Sequence, residues 1–500
     1  MRPSGKSLVR ATLVAAAGAG LVLGAMRLPA SWAVRTEAGA AADPSSAGAP
    51  ALTGASVVCV GSELMGARGV DDVVLGGSVL AATAPAQVLA GLQLSAKPGA
   101  VRIAPLASGK AASSSVTKQR GAALSYDYTG ARAVMVTGTQ SLAAGLVAGQ
   151  QWAVSSDTVR GLVSSACGEA TSDAWLLAGG GDPGRQERLL LANPSPNPVT
   201  VDVELHGAKG LVDSPNGGDI VVPPRSRVNF LVDAISGTEP TPAVHISTRG
   251  GLVRAVLNDT WLDGTRAAGS DDAGPTAPPS THQVIPAVPV NGMARVRVAV
   301  PGDQEAVVQT RALTAEGPKA LPSGGVTRVA GGAVADIDLT GVPNGFYAIE
   351  VKADVPVVAG ASVSRRAALD EVGDFAWIPS ARPAPRLLGM AVPQHQPGVP
   401  GTPARSLGLT ASGDDVVAEV LVVTEKGVAT GQRMTVTSDT VADVKLPVGT
   451  ASVWVRRLSG GELRGAVVTQ IPAAPSPFIT VTSLAEPVLE STASRVVPLP

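Results

Sequence analysis

Histidine is the side chain best suited to acid–base chemistry near neutral pH, and the sequence contains four of them. His206, His245, His282 and His395 are spread over separate segments, and none lies beside a candidate serine or cysteine nucleophile. The HExxH pattern of zinc hydrolases does not occur. His245 stands between two apolar residues, which predicts the solvent face of a strand. The pattern therefore favours exposed histidines over a general base.

Two short motifs resemble catalytic or phosphate-binding patterns without their required companions. Ser115 to Lys118 spells SxxK, but the SDN and KTG motifs that accompany it in serine acyltransferases do not occur. The glycine cluster from Ala178 to Gly184 lacks the Lys-Ser/Thr pair that ends a phosphate-binding loop. We interpret the cluster as a turn before a strand. The sequence thus predicts no catalytic residue and no cofactor.

Four aspartates, Asp259, Asp263, Asp271 and Asp272, gather around a predicted loop. Carboxylate oxygens are the ligands that Ca²⁺ prefers, so a calcium site is one interpretation. Their spacing matches no compact calcium loop, and we expect solvated carboxylates without a metal.

Trp454 is the best candidate for a binding surface in a chain with only 3% aromatic residues. It alternates with Val453 and Val455 and so faces away from the core that these valines enter. An exposed Trp454 could stack on a sugar. The favoured alternative is that its ring packs against a neighbouring domain.

The chain has two cysteines, Cys59 and Cys167, and both occur in strand-like or strand-flanking segments. In an exported protein such a pair usually forms a disulfide. The alternatives, a metal pair or a free nucleophile, lack a nearby histidine. We therefore predict one disulfide that joins the first and last strands of the first domain.

The N-terminus reads as an export signal. Arg2, Lys6 and Arg10 precede an uncharged run from Ala11 to Met26, and small residues follow at Ala30–Ala33. The run is short for a membrane span, so residues 1–35 are predicted to be a cleaved signal peptide, with an uncleaved anchor as the alternative. Residues 36–55 are predicted to be a flexible linker. We expect an extracytoplasmic protein that is secreted or anchored by this segment, with no other contact to the membrane.

A β-rich stretch that begins at Val222 recurs along the chain. The apolar residues Val222, Phe230 and Val232 reappear 107 residues later as Val329, Ile337 and Leu339, and again as Val436, Val444 and Leu446. A weaker copy contains Val116, Leu124 and Tyr126. Period-two alternation, as in Val199 to Leu205, predicts strands with one buried face.

These repeats predict an all-β protein, a tandem array of immunoglobulin-like β-sandwich domains that follows the signal or anchor. The predicted domains cover residues 56–172 (which carries the disulfide), 173–270, 284–380 and 405–485. Two connectors, at 262–283 and 381–404, are predicted because they are rich in Pro, Gly or Asp. Residues 486–500, which lack the repeat, are predicted to be a tail. Tryptophans near two junctions, Trp175 and Trp377, are expected to pack between domains.

Composition excludes one class of partner. The chain has 39 basic and 40 acidic residues in 500, with no basic stripe interleaved with aromatics. Nucleic acid is therefore not expected as a partner.

The segments LLLANPSPNPVTVDVELHGAKG, IVVPPRSRV and VRAVLNDTWLDGT, with VVCVGSEL near the start, resemble an uncharacterised actinobacterial "large secreted protein" family with a domain of unknown function. The resemblance implies export and supplies no catalytic residues.

Together these observations predict a non-enzymatic cell-envelope protein with a structural, scaffolding or interaction role. Its partners would be envelope proteins or cell-wall glycan. A glycan-binding or adhesin-like module is one alternative. A hydrolase with a nonstandard site is the other, and it would need carboxylates that converge in one cleft with raised pKa values.

Overall fold

The computed structural model describes residues 34–36, 51–63, 75–106, 114–368, 370–394, 399, 401–490 and 496–498. One compact unit comprises Leu52–Leu489. The other comprises Met1–Ala51 with Glu490–Pro500, and in it the strand β1 (Val34–Thr36) pairs antiparallel with the last strand of the chain, Val496–Pro498. Most of the predicted signal, linker and tail lie outside the described residues. No helix among the described residues is long and apolar enough to span a membrane.

The compact unit is built almost wholly from β-strands, as the alternating apolar pattern predicts. Domain 1 contains β2 Gly54–Cys59, β3 Gly76–Thr83, β4 Val101–Pro105, β5 Ser115–Thr117, β6 Leu124–Thr129, β7 Val134–Thr139, β8 Leu146–Ser155 and β9 Arg160–Cys167, with short 3₁₀ helices at Ala86–Leu89 and Gln140–Leu142. Domain 2 contains β10 Asp173–Leu177, β11 Arg185–Asn193, β12 Val199–Gly207, β13 Gly210–Val212, β14 Ile220–Val222, β15 Ser226–Leu231, the one-turn helix α1 Asp233–Ser236, β16 Ala243–Arg249, β17 Arg254–Asp263 and β18 Arg266–Ala273.

The second half of the unit repeats the pattern with longer strands. Domain 3 contains β19 Ser280–Val290, β20 Ala294–Ala299, β21 Ala306–Thr314, β22 Gly317–Ala320, β23 Val326–Val329, β24 Val334–Asp338, β25 Gly345–Arg365 and β26 Asp374–Pro379. Domain 4 contains β27 Leu387–Ala391, β28 Ala404–Thr424, β29 Ala429–Val436, β30 Val441–Leu446, β31 Thr450–Ile471 and β32 Phe478–Ser483. The strand Val496–Pro498 is β33.

All four domains share one strand order. In domain 1 the sheets run β2-β7-β4-β5 and β6-β3-β8-β9, and in domain 2 they run β10-β16-β12-β13 and β15-β11-β17-β18. Domains 3 and 4 keep this order, but β25 and β31 each extend through both sheets, and so does β28. The tandem repeat of the sequence is thus a repeat of a two-sheet sandwich, and the all-β prediction is confirmed. Its immunoglobulin-like assignment stays a prediction.

The predicted inward residues form the cores of these sandwiches. In domain 2, Val199, Val201, Val203 and Leu205 are buried, whereas Thr200, Asp202 and Glu204 are half-buried or exposed. Val329, Ile337 and Leu339 are buried at the equivalent positions of domain 3. One residue of the weak copy does not fit, because Val116 is 51% exposed on the edge strand β5.

The last strand of each domain meets the others at the centre of the unit. β9 lies next to β18, β18 next to β26, β26 next to β32, and β32 next to β9, so the four strands close a ring. We call this ring the junction. The approach is close, because a Cβ on Gly161 of β9 would lie only 2.7 Å from the carbonyl oxygen of Ser270 in β18. The domains are therefore packed together around one centre rather than strung on flexible connectors.

Two predicted connectors are corrected by this arrangement. β18 lies wholly inside the predicted connector 262–283, and it packs into the junction. β27 lies inside the predicted connector 381–404, and all five of its residues are buried. Both segments are edge strands of sandwiches, so domain 2 extends to Ala273 and domain 4 begins at Leu387. Domain 3 begins at Ser280, four residues before its predicted start.

The disulfide between Cys59 and Cys167 is present and buried. It joins the first strand of domain 1 in one sheet to the last strand in the other, and it closes a loop across a sequence separation of 108. Its second cysteine ends β9, so the same bond fixes one strand of the junction. A disulfide is consistent with an extracytoplasmic location.

Replacing both Cys59 and Cys167 by alanine is expected to lower the free energy of unfolding by about 2–4 kcal/mol, because the unfolded chain regains the entropy that the long closed loop removes. Urea unfolding of the oxidised protein and the double variant measures the difference. A reductant should shift the wild-type curve towards that of the variant and leave the variant unchanged. Coincident curves for the oxidised protein and the variant would contradict the expectation.

Candidate functional site

The junction places a buried carboxylate where three domains meet. Asp374 is the first residue of β26 and is fully buried. Its Oδ2 accepts hydrogen bonds from the backbone N–H of Leu162 in domain 1 (3.2 Å) and of Ile479 in domain 4 (2.9 Å). Its Oδ1 accepts from the N–H of Phe375 (3.0 Å). One carboxylate thus satisfies backbone donors from three domains.

A second carboxylate, Asp271 of β18, ties domain 2 into the same place. Asp271 is 1% exposed, and its Oδ2 accepts a hydrogen bond from the backbone N–H of Trp377 at 2.7 Å. The hydroxyl of Thr480 lies 3.5 Å from its Oδ1. Thr480 Oγ1 in turn accepts from the N–H of Ser164 in β9 at 3.1 Å. Hydrogen bonds therefore connect all four strands of the junction.

Loss of hydration dominates the ionisation of both groups. Burial raises the pKa of Asp374 to about 7, although its backbone hydrogen bonds and the charge of Arg160 oppose the rise. Burial also raises the pKa of Asp271 well above its usual value, and the nearby Asp272 and Asp374 add to the rise. The junction therefore carries one carboxyl group, Asp374, that takes up a proton near neutral pH, and a second, Asp271, whose pKa is also raised.

Asp272 faces the other way and connects domains 1 and 2. Its Oδ1 accepts from Asn258 Nδ2 at 2.8 Å, and its Oδ2 accepts from Gln150 Nε2 of domain 1 at 3.3 Å. Burial raises its pKa to about 6, and these amide donors oppose the rise. Asp272 is therefore partly protonated under mildly acidic conditions.

The interface of domains 2 and 3 contains a buried ion pair. Arg185 donates to Asp259 from Nε (3.0 Å) and from Nη2 (2.6 Å), and the indole N–H of Trp377 donates to the same carboxylate at 2.7 Å. Glu187 Oε1 lies 3.8 Å from Arg185 Nε, which is within ion-pair distance but too long for a hydrogen bond. The same oxygen accepts a hydrogen bond from the N–H of Gly180 at 2.8 Å. Burial and the charge of Asp259 raise the pKa of Glu187 to about 8. The glycine cluster is thus a structural loop that wraps these side chains.

Raised pKa values are typical of general acids, but these carboxylates are not arranged as a catalytic pair. The oxygens of Asp374 and Asp271 are occupied by donors of neighbouring strands or domains. A glycosidase needs two carboxyl groups that face a sugar across an open cleft. The arrangement is suited to holding domains together.

A groove of about 760 Å³ between domains 3 and 4 has the opposite electrostatics. Glu350 and Glu462 both line it. Burial raises the pKa of Glu350, but hydrogen bonds from His282, Lys352 and Arg311 outweigh it and lower the pKa to about 2. Arg464 lowers the pKa of Glu462 in the same way, against the effect of burial. Neither carboxyl group holds a proton at neutral pH, so neither is suited to be a general acid.

A cavity of about 440 Å³ opens beside the junction, and segments of all four domains line it.

The family of unknown function DUF5719 matches residues 122–447, which is more than half of the chain. The chain belongs to this family. The DUF5719 match begins just before β6 and ends just after β30, so it includes strands of all four domains and three strands of the junction. No curated protein matches the sequence.

In this DUF5719 chain Trp454 is not a surface residue, and its predicted role in surface binding is wrong. It is fully buried, and it packs with Leu80, Val88 and Val147 of domain 1 and with Leu421 of domain 4. Its ring covers Gly389 of β27, where a Cβ would lie 2.4 Å from a ring carbon. The favoured alternative, packing against a neighbouring domain, is correct. Every Trp, Tyr and Phe of the described residues is likewise buried or half-buried.

The other two tryptophans that were expected between domains are found there. Trp175 packs with Ala299, Val334 and Val358 of domain 3. Trp377 of domain 3 packs into the core of domain 2. These rings help to position the ion pair of Arg185 with Asp259, since Trp377 both donates to Asp259 and lies near the guanidinium.

The expectation of exposed histidines is only partly correct. His245 is half-buried, stacks on Trp175 with ring centroids 4.6 Å apart, and lies 2.8 Å from a carboxylate oxygen of both Asp173 and Glu204. His206 is buried, and its Nδ1 lies 2.7 Å from the carbonyl oxygen of Gly332 in domain 3. Burial lowers the pKa of His206. His282 pairs with Glu350 at 3.0 Å. His395 lies outside the described residues.

The expectation that the aspartates are solvated holds only for Asp263, which pairs with Arg366 at 2.7 Å and keeps 38% of its side chain exposed. Asp259, Asp271 and Asp272 are buried. No group of three or more His, Cys, Asp or Glu in the described part of the chain could hold a metal ion. No pattern in the sequence indicates that Asp374 or Glu187 is a buried acid, apart from the DFAW motif that Asp374 begins.

Proposed function

We propose that this chain is a non-enzymatic exported protein of the cell envelope, in which four locked sandwiches act as a rigid scaffold for envelope partners. The observation that carries the proposal is the junction, where Asp374 accepts hydrogen bonds from domains 1 and 4 while it belongs to domain 3. A chain that uses its most perturbed carboxylates to join domains is built for fixed geometry. Fixed geometry is what a scaffold requires, because it sets the distance and orientation of the surfaces that it presents.

Three further observations support export and the envelope. The predicted signal at residues 1–35 has the charge and apolar pattern of an export sequence. The buried disulfide is consistent with an oxidising compartment. The resemblance to actinobacterial large secreted proteins points to the surface of a Gram-positive cell.

The structure gives the two alternatives less support. The glycan-binding alternative rested on Trp454, which is buried. The hydrolase alternative requires a proton-carrying carboxyl group in an open site. Asp272 comes nearest to this requirement, because its pKa is about 6 and it lines the cavity beside the junction.

A pull-down from the native envelope with the tagged, full-length protein tests the proposal, with Asp272→Asn as the matched variant. We expect a defined set of envelope proteins that the wild type and Asp272→Asn recover equally. Recovery of glycan alone, or of nothing after chemical cross-linking, would contradict a scaffold. Cleavage of purified envelope material by the wild type but not by Asp272→Asn would replace the scaffold with a hydrolase.

A further inference from the structure

The cavity beside the junction is a partly open space that the scaffold role does not use. It has the size of a small-molecule site, since ligand pockets in proteins span roughly 300–1,000 Å³. Its volume is about 440 Å³, and its lining includes Ser165 of domain 1, Arg254 of domain 2, Ser380 of domain 3 and Ser483 of domain 4. A molecule bound there would touch all four domains at once.

Arg254 is the half-buried cation of this cavity, and no ion pair neutralises its charge. It begins β17, and its Nη2 donates one hydrogen bond, to the carbonyl oxygen of Ala166 at 3.0 Å. Among the described residues no carboxylate lies within ion-pair distance of it. The guanidinium lies over Gly168, where a Cβ would be 2.7 Å from Nη1. Packing around the half-buried side chain lowers its pKa to about 10 because the cation loses hydration.

Other arginines near the domain interfaces have either a carboxylate partner or several carbonyl acceptors. Arg227 pairs with Glu63 at 2.8 Å, and Arg297 pairs with Asp336 at 2.8 Å. Arg365 has no carboxylate partner within 4.0 Å among the described residues, but it donates to three backbone carbonyls, those of Pro289, Asn291 and Ser364. A guanidinium carries five N–H donors, and one acceptor leaves most of them available. A desolvated cation with open donors is a binding site for an anion.

The rest of the lining selects the kind of anion. Trp175, Leu388 and Leu484 give part of the wall an apolar character. The hydroxyl of Ser483 is buried and has no hydrogen-bond partner among the described residues. The carboxyl group of Asp272 also lines the cavity, and Glu169 and Glu486 lie at the exposed rim with Arg382, so a second negative charge on a ligand would be repelled. The lining therefore suits a single negative charge on an apolar body.

We propose that the junction cavity binds a small organic monocarboxylate, whose two oxygens accept hydrogen bonds from the guanidinium of Arg254 and whose apolar body fills the space between the domains. Such a ligand would stabilise the packing of the four domains around the junction, because it binds the assembled domains and not the unfolded chain. Inorganic phosphate, which carries more charge, should bind less well.

Calorimetric titration of the full-length protein with benzoate, benzamide and inorganic phosphate tests this proposal. Benzoate should bind, while benzamide, which has the same body without the charge, should bind roughly tenfold to a hundredfold more weakly, as expected for the loss of a charged hydrogen bond. Arg254→Met should lose benzoate binding to the same extent. Arg249→Met, which removes an exposed arginine on the preceding strand, should keep it. Glu486→Gln should strengthen it, because the rim then repels the anion less.

Equal binding of benzoate and benzamide, or no binding of any carboxylate, would overturn the proposal. So would an unchanged benzoate affinity in a folded Arg254→Met variant. If Arg254→Met does not fold, the benzoate–benzamide ratio and Glu486→Gln decide the matter. The test is independent of the scaffold, because a cavity that binds nothing would leave the pull-down result unaffected.

Discussion

Replacing Asp374 by alanine is expected to lower the free energy of unfolding by about 3–6 kcal/mol, the largest loss that we expect from any single substitution at the junction. The change removes the acceptor for the backbone N–H groups of Leu162, Phe375 and Ile479, which are buried in the interface. A buried donor left without a partner costs about 1–3 kcal/mol. Arg160 and Arg365 would also lose a nearby opposite charge.

Urea unfolding of the purified, oxidised protein measures this loss. Asp303→Ala is the matched control, because it removes an exposed aspartate of the same domain, and it should change the free energy by no more than about 0.5 kcal/mol. Asp374→Asn should fall between the two, since one amide oxygen can still accept from Leu162 and Ile479. A loss for Asp374→Ala as small as that of the control would mean that the junction does not join the domains.

The repeat and the junction divide the sequence into two kinds of position. The inward residues recur with chemically similar side chains in domains 2, 3 and 4, since each of these sandwiches must fill the same core. The last strands do not recur in this way. They read RGLVSSAC in β9, RAAGSDDA in β18, DFAWIP in β26 and FITVTS in β32. Each occupies the same topological position, but each meets different neighbours around the ring, so each carries different polar groups.

That division explains which parts of the fold the sequence predicts. Val199 to Leu205 follows the alternation of a strand with one wet face, and the structure has that strand. The sequence predicts a connector in place of β18 because two adjacent aspartates and a glycine break the alternation. Ser270, Asp271 and Asp272 of β18 are buried, since neighbouring strands and domains rather than solvent satisfy them. The sequence pattern does not predict β27, because its apolar run of five residues lies between proline-rich segments and is covered on both faces.

The candidate site is harder to predict because its partners are distant in sequence. Leu162 and Asp374 are 212 positions apart, and only the closure of the ring brings them together. Local patterns cannot show that a carboxylate will be buried by a domain encoded hundreds of residues away. Trp454 illustrates the limit well: its alternation with two core valines fixed the face on which it lies, but not that domain 1 covers this face.

Mild acidification from pH 8 towards pH 5 should raise the free energy of unfolding of this protein. Four buried carboxyl groups have a pKa above the unfolded value: Asp272 at about 6, Asp374 at about 7, Glu187 at about 8, and Asp271 well above its usual range. In each case burial is the main cause. Between the unfolded and folded pKa values the native state binds more protons than the unfolded state. The stability that these groups contribute is therefore present below about pH 4 and is lost as the pH rises through the folded values.

Groups with the opposite shift set the acid limit of this effect. Hydrogen bonds lower the pKa of Glu350 to about 2 despite its burial. Arg297 likewise lowers the pKa of Asp336 despite the burial of that carboxyl group. Their contribution is lost when the pH falls below about 4. His206 also opposes the trend, because burial lowers its pKa and its protonation at acid pH destabilises the fold. One histidine does not cancel four carboxyl groups, so the greatest stability is expected near pH 4, where the two opposing effects meet.

We therefore expect the free energy of unfolding to fall by on the order of 4 kcal/mol between pH 5 and pH 8. Urea unfolding at one-unit intervals of pH, at constant ionic strength, measures the profile. Asp374→Asn should flatten the profile around pH 7, because an amide cannot take up the proton, whereas the exposed Asp303→Asn should leave its shape unchanged. A profile that stays level or rises from pH 5 to pH 8 would show that these carboxyl groups are hydrated or paired in solution. The junction would then be open to water, and the rigid ring on which the scaffold proposal depends would not persist.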